Sequence, residues 1–163
     1  MTRYWLDASV FIEAQNVNYP MDTVPSYWKW IAGKVADGTI VCPKLVYREI
    51  VDGLEKQDSL AKWFQTRRQN GLCIAPDKAV TDQVGIISKY VFKQFKQHQA
   101  TNFLRGADSW IIAHAQADKG VVVTQESSLR PNSHKPRIPD VCRNFNVSCM
   151  NGMEMMKKLK AKI

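Results

Sequence analysis

The chain has 163 residues, enough for one domain with a proper core and too few for two ordinary ones. Hydrophobic residues make up 45% of it, as in folded globular proteins, and no uninterrupted apolar run approaches the length that spans a membrane. Lysine and arginine number 23 against 15 aspartates and glutamates, and the net charge of +8 favours contact with polyanions such as nucleic acid.

The N-terminal stretch Met1-Thr2-Arg3-Tyr4-Trp5-Leu6-Asp7 reaches a carboxylate too soon for a secretory apolar region, so a cytoplasmic protein is expected. Tyr4-Trp5-Leu6 reads as a short strand that delivers Asp7 at its C-terminal end, with a helix starting near Ser9. Pro25 to Ala36 predicts a helix, with proline early and Asp37-Gly38 as the stop. Thr39 to Cys42 is a β-rich run closed by Pro43. Lys44 to Leu54 then reads as helical, with Leu45, Val46 and Ile50 as the apolar stripe and Glu49 beside it.

Asp58 or Ser59 can cap a helix through Leu60, Trp63 and Phe64 to about Gln69. Leu72 to Ala75 is a short strand before Pro76. Asp77 to about Gln99 predicts one long amphipathic helix, with Val80, Val84, Ile87, Val91 and Phe95 at helical spacing. Gly106-Ala107-Asp108 opens a helix that ends before Gly120, and Val121 to Thr124 has the composition of a buried strand. Ser127 to Pro139 is polar and proline-rich, hence a loop. A last strand fits Asn146 to Cys149, and a short helix fits Met153 to Leu159.

Strands and helices alternate throughout, which implies a parallel sheet with helices on both faces. With no internal repeat and no Gly- or Ser-rich linker, residues 1–163 are read as one domain. Cys42, Cys73, Cys142 and Cys149 form no C-x-x-C pair and have no histidine at zinc-finger spacing, so reduced thiols are expected. His114 falls in a helical pattern and reads as a packed or surface residue.

In open α/β sheets the ligand crevice lies at the C-terminal ends of the strands. Asp7 and Glu126 follow predicted strands there, and Glu49 and Asp108 lie on helices that start at the same edge. Each has an ordinary reading: Asp7 as a helix cap, Asp108 as a first-turn acid that favours the dipole, Glu49 and Glu126 as solvated surface. Together in one crevice they would repel one another without a cation, and hard oxygen donors select Mg²⁺ or Mn²⁺ rather than zinc.

These motifs resemble a known family. Leu6-Asp7-Ala8-Ser9-Val10-Phe11-Ile12, Val46-Tyr47-Arg48-Glu49-Ile50, Ala107-Asp108-Ser109-Trp110-Ile111-Ile112-Ala113 and Val122-Val123-Thr124-Gln125-Glu126 are similar, in order and spacing, to the four acidic motifs of PIN domains. The likeness runs from about residue 3 to 150 and is strongest to VapC-like bacterial toxins. Within those it points to a longer branch with Phe11-Ile12-Glu13-Ala14 near the start and Ile138-Pro139-Asp140-Val141-Cys142 near the end.

The resemblance implies a three-layer α/β/α fold around a central parallel sheet of order 3-2-1-4-5. It implies metal-dependent cleavage of single-stranded RNA, a cognate antitoxin and, commonly, a homodimer. Asp7, Glu49, Asp108 and Glu126 become the catalytic, metal-binding set, with Ser9, Thr124 and Asp140 supporting it. The sequence departs from the family at Glu126, where the usual T-x-D pattern carries Asp.

Arg67, Arg68, Arg105, Arg130, Lys135 and Arg137 are candidates for an RNA-binding rim, with solvated surface charge as the ordinary reading of each, and Trp28, Trp30 and Trp110 for base stacking, with core packing the ordinary reading of most tryptophans. A haloacid-dehalogenase-type phosphatase would need a second Asp at position 9, which is Ser. No glycine-rich nucleotide-binding motif occurs. The rival that remains is a catalytically silent PIN fold that binds RNA or a protein.

Overall fold

Short, wholly apolar runs become strands buried on both faces. The computed structural model, which describes residues 1–53, 58–68, 70–128 and 134–163, contains β1 (Tyr4–Leu6), β2 (Ile40–Pro43), β3 (Cys73–Ile74), β4 (Val121–Val123) and β5 (Ser148–Met150). They form one parallel sheet in the order β3-β2-β1-β4-β5, the order the resemblance implied.

The strand alternation assigns helices to the two faces. Tyr4, Leu6, Ile40, Cys42, Val121 and Val123 point to one core, packed by α1 (Ala8–Glu13), α2 (Pro25–Ala36), α3 (Lys44–Gly53), α4 (Ser59–Arg67) and, at the C-terminus, Met155 and Met156. A π-helical turn at Ala14–Asn18 follows α1. Trp5, Val41 and Val122 point to the other core, packed by α5 (Lys78–Gln94), α6 (Gln97–Arg105), α7 (Asp108–Asp118) and α8 (Ile138–Asn144). The last helix is α9 (Gly152–Lys158). Phe11, Ile31, Ile50, Ile111 and Ile112 are completely buried, each contributing roughly 1.5–3 kcal/mol of transfer free energy.

Caps follow the sequence where it offered them. Asp58 accepts from the Leu60 and Ala61 N–H groups at 2.7 and 3.3 Å, and Asp77 accepts from Val80 N–H at 2.9 Å. Behind α7 the chain turns at Lys119, and Gly120 passes too close for a side chain: a Cβ there would stand 2.8 Å from the Arg3 carbonyl oxygen.

Several boundaries differ from expectation. The predicted helix over 77–99 is two helices, because Phe95 turns extended (φ −126°, ψ 157°) to pack on the second core and α6 starts afresh at Gln97. Apolar periodicity passes smoothly over such a break, so it could not be read. The predicted loop through Pro139 ends in a helix: Ile138 opens α8, whose first turn tolerates proline. The last strand begins at Ser148 rather than Asn146, which adopts φ 55° as the chain leaves α8. The predicted helix ends at Leu54 and Gln69 lie outside the described residues.

Trp28 is corrected as a stacking candidate. It is buried between Tyr27 and Trp63 and donates its indole N–H to the Tyr19 carbonyl at 2.6 Å. All four cysteines are free. Cys42 and Cys73 are opposite one another in the β2–β3 register, with sulfurs 3.6 Å apart.

Candidate active site

The β-ladder continues one residue past β1 and β4, and this places the first acid. Asp7 N–H donates to the Val123 carbonyl at 2.9 Å, and Thr124 N–H donates to Met150 at 3.0 Å. Asp7 and Thr124 therefore stand side by side at the C-terminal edge of the sheet. Asp7 is buried and occupies the N-cap position of α1, yet its side chain makes no capping bond. Its Oδ2 instead accepts from Ser9 Oγ at 2.7 Å and Thr124 Oγ1 at 3.1 Å. Ser9 Oγ also accepts from Gln125 N–H at 3.1 Å, tying α1 to the chain leaving β4.

Glu49 reaches the same edge from α3. Its residue surface is largely exposed, but its carboxylate end is tucked against α7, where Oε1 accepts from Ala107 N–H at 2.8 Å. Only glycine leaves room for this at position 106, because a Cβ there would stand 2.8 Å from the same oxygen. Burial pushes the Glu49 carboxyl up, the Ala107 N–H opposes that, and the Asp7 charge adds to it.

Asp108 opens α7, with Ala107 as N-cap and no side-chain capping bond. Burial, and then the charges of Asp7, Glu126 and Glu49, push its carboxyl up from 3.8 to about 8. Glu126 comes from beyond β4. Its Oε2 accepts from Ile138 N–H, the first donor of α8, at 2.9 Å. Burial raises the Glu126 carboxyl; the Ile138 N–H and Arg137 lower it, while Asp7 and Asp140 raise it. Asp140, in the first turn of α8, accepts from Arg143 at 3.3 Å.

Thus Glu49, Asp108 and Glu126 each lie within electrostatic reach of Asp7. Among the described residues no group of three or more Asp, Glu, His or Cys side chains is already gathered to hold a metal ion. Three of the acids are held by the protein's own donors: Asp7 by Ser9 and Thr124, Glu49 by Ala107, Glu126 by Ile138. The donor chemistry fits a hard divalent cation. The Asp108 carboxyl, pushed up first by burial and then by three neighbouring carboxylates, stands in crowded negative charge that such a cation would offset.

Residues 4–163 match the family described as Domain of unknown function (DUF4411). The chain belongs to this family. No curated protein sequence matches it significantly. Among solved structures it is similar to chains from VapBC2 of Rickettsia felis bound to a promoter DNA fragment (16% identity, TM-score 0.57, 92% of this chain and 98% of that one). It is similar also to VapBC-1 of nontypeable Haemophilus influenzae (16%, 0.55, 92% and 98%) and to FitAB bound to the IR36 DNA fragment (16%, 0.54, 91% and 94%). At that identity the likeness shows the fold: this DUF4411 chain has a PIN-like architecture of the VapC type.

The basic candidates of the DUF4411 chain scatter around this edge unevenly. Arg137 lies within electrostatic reach of Glu126, and Arg105 directly precedes Gly106. Arg67 and Arg68 close α4 just before β3 begins, at the opposite edge of the sheet, where their guanidiniums lie over the Trp63 and Tyr47 rings. Lys135 is exposed, and Arg130 lies outside the described residues. Sequence reading missed Arg143, which bonds Asp140 and Ser128 and lines a polar cavity of about 350 Å³ beside Thr124 and Glu126. It also missed Gly106 as the residue that admits Glu49. A glycine at a helix start carried no sign of a carboxylate from another helix.

Proposed function

We propose that this protein is a divalent-metal-dependent endoribonuclease acting on single-stranded RNA, and the toxin of a toxin–antitoxin pair. The observation that carries the reading is geometric: Asp7 stands at the C-terminal edge of the sheet with Glu49, Asp108 and Glu126 each within electrostatic reach of it, in a protein of net charge +8. Acids concentrated at one edge of a basic protein are well suited to hold a cation against a polyanionic strand.

Asp7, Glu49, Asp108 and Glu126 would hold Mg²⁺ or Mn²⁺, the carboxylates of Glu49 and Glu126 swinging from their backbone donors to do so. When bound, the cation supplies Lewis acidity, favouring deprotonation of water and offsetting charge at the scissile phosphate. Ser9 and Thr124 orient Asp7, leaving its second oxygen for ligation. Arg137, within electrostatic reach of Glu126, and Arg105 would steer the strand. The rest of the catalytic gain would come from positioning rather than from a covalent enzyme intermediate.

Likeness to the VapBC and FitAB chains supports a cognate antitoxin as partner, and a homodimer is part of the same proposal. A cytoplasmic location accords with it; no helix among the described residues is long and apolar enough to cross a membrane.

A second reading, a PIN fold that only binds RNA or protein, draws on one observation: Glu126 is already engaged at the start of α8. Incubation of the purified protein with a generic single-stranded RNA decides between them. The nuclease reading expects cleavage with Mn²⁺ or Mg²⁺ that stops with EDTA. Binding without cleavage under any divalent cation would leave the second reading, and cleavage indifferent to chelation would end the metal hypothesis.

A further inference from the structure

Beside the acidic crevice, at the C-terminal ends of β2 and β3, lies a second cavity of about 280 Å³. Its walls are Pro43, Leu45, Ala75 and Pro76 with Trp110, and His114 lines it one helical turn beyond Trp110 on α7. It is more apolar than the crevice and near the lower size limit of small-ligand pockets, roughly 300 Å³. Two cations, Lys44 and Arg48, lie on its rim. Neither enters an ion pair among the described residues.

His114 gives the cavity its chemistry. The ring is buried and stacked on Trp5, with centroids 4.4 Å apart and planes 23° from parallel. That stacking accounts for its burial but leaves Nε2, itself without accessible surface, with no hydrogen-bond partner among the described residues. A buried, unpartnered ring nitrogen costs free energy unless something completes it. Burial holds the imidazole pKa down at about 4, so the ring is neutral and offers one donor and one acceptor.

The cavity and the candidate acids draw on the same two helices. Arg48 is the residue before Glu49 on α3, and Trp110 lies just beyond Asp108 on α7.

We propose that this cavity receives one base of a single-stranded RNA, stacked against Trp110 beside the His114 ring, while Lys44 and Arg48 meet the adjoining phosphate. The apolar walls suit a planar ring, the half-exposed Trp110 supplies a stacking face, and the free cations are placed for a backbone. This deepens the nuclease reading by giving the strand a base-reading pocket, and it rests on that reading for its substrate class.

The four nucleoside 5′-monophosphates, with ribose 5-phosphate as a base-free control, test it without requiring catalysis. NMR of the Trp110 indole and His114 imidazole is followed during titration at millimolar concentration, in EDTA. At least one nucleotide is expected to shift both side chains in a saturable way, while ribose 5-phosphate leaves them unmoved. Trp110→Ala should weaken that nucleotide by tenfold or more, the scale of one base–aromatic stack, and Trp110→Phe should restore much of the loss.

Equal shifts from ribose 5-phosphate would mean that the site reads phosphate alone, which overturns the base pocket. So would nucleotides that leave both side chains still, or that shift only residues elsewhere. Because no metal or cleavage enters the measurement, the pocket and the nuclease reading fail separately: EDTA-sensitive RNA cleavage can persist with the pocket disproved, and nucleotide binding can persist with cleavage absent.

Discussion

Glu126 accepts a hydrogen bond from Ile138 N–H at 2.9 Å, so the acid that follows β4 is also the acceptor for the first donor of α8. Arg137, the N-cap of α8, provides no side-chain capping bond. The glutamate, where the PIN motifs that the sequence resembles carry aspartate, thus has a structural consequence: its extra methylene spans the distance to the next helix.

Glu126→Gln and Glu126→Asp separate the two roles. The amide keeps an acceptor for Ile138 and loses the charge, so stability should hold while metal-dependent cleavage falls at least tenfold, about 1.4 kcal/mol in the barrier. The aspartate keeps the charge but falls short of α8, so its melting temperature should drop by an amount matching a lost cap, about 0.5–2 kcal/mol. If the aspartate variant melts with the wild type, the bond to Ile138 does not hold α8.

Asp7→Asn should leave the fold intact and reduce cleavage at least 100-fold, about 2.7 kcal/mol. The amide can still accept from Ser9 and Thr124, so the hydroxyl network need not collapse. The structure already separates Asp7 from a capping role, since its side chain accepts from no backbone N–H of α1. Cleavage at the wild-type rate, measured beside a matching circular-dichroism spectrum, would remove Asp7 from the site.

Gly106→Ala perturbs a ligand without touching any carboxylate. The new Cβ would stand 2.8 Å from Glu49 Oε1, and the backbone there (φ −93°) accepts alanine without strain. Glu49 must move, leaving Ala107 N–H without its acceptor at a cost of about 1 kcal/mol. Because the carboxylate has then already left the donor it must give up to hold a cation, the Mn²⁺ concentration for half-maximal cleavage should fall roughly threefold to tenfold, the range set by about 0.7–1.4 kcal/mol. An unchanged metal requirement would show that Glu49 is not a ligand.

The pH dependence of stability should report the charge crowding at Asp108. Its carboxyl is raised in the fold from 3.8 to about 8, by burial first and then by Asp7, Glu126 and Glu49. The native state therefore holds the proton more tightly than the unfolded chain. That contribution is complete below pH 3.8 and is lost as pH rises through about 8. Asp108→Asn lacks the term. In EDTA the variant should gain on the wild type between pH 5 and pH 9 by more than about 2 °C in Tm, the shift of roughly 1 kcal/mol at this length. Mg²⁺ should stabilise the wild type more at pH 9 than at pH 5, because there it no longer competes with the proton. Parallel melting curves for the two proteins across this range would show that Asp108 is not crowded by charge.

Local chemistry made much of this protein readable in one dimension. The apolar runs at Tyr4–Leu6, Ile40–Pro43 and Val121–Val123 are buried on both faces and could only be interior parallel strands. Asp7 and Thr124 inherit their place from them, because a residue just past a buried strand must emerge at the sheet edge. The +8 charge and the order of the four acidic motifs were likewise properties of the sequence alone. The tertiary structure decided what no periodicity encodes. It broke 77–105 into two helices at Phe95, whose ring belongs to a core formed by distant segments. It set Glu49 against Gly106 and Glu126 against Ile138, pairings between elements whose approach depends on packing rather than spacing. It also brought Trp110 and His114 beside Pro43 and Pro76. Side chains from three stretches of chain enclose that cavity, and only folding makes them neighbours.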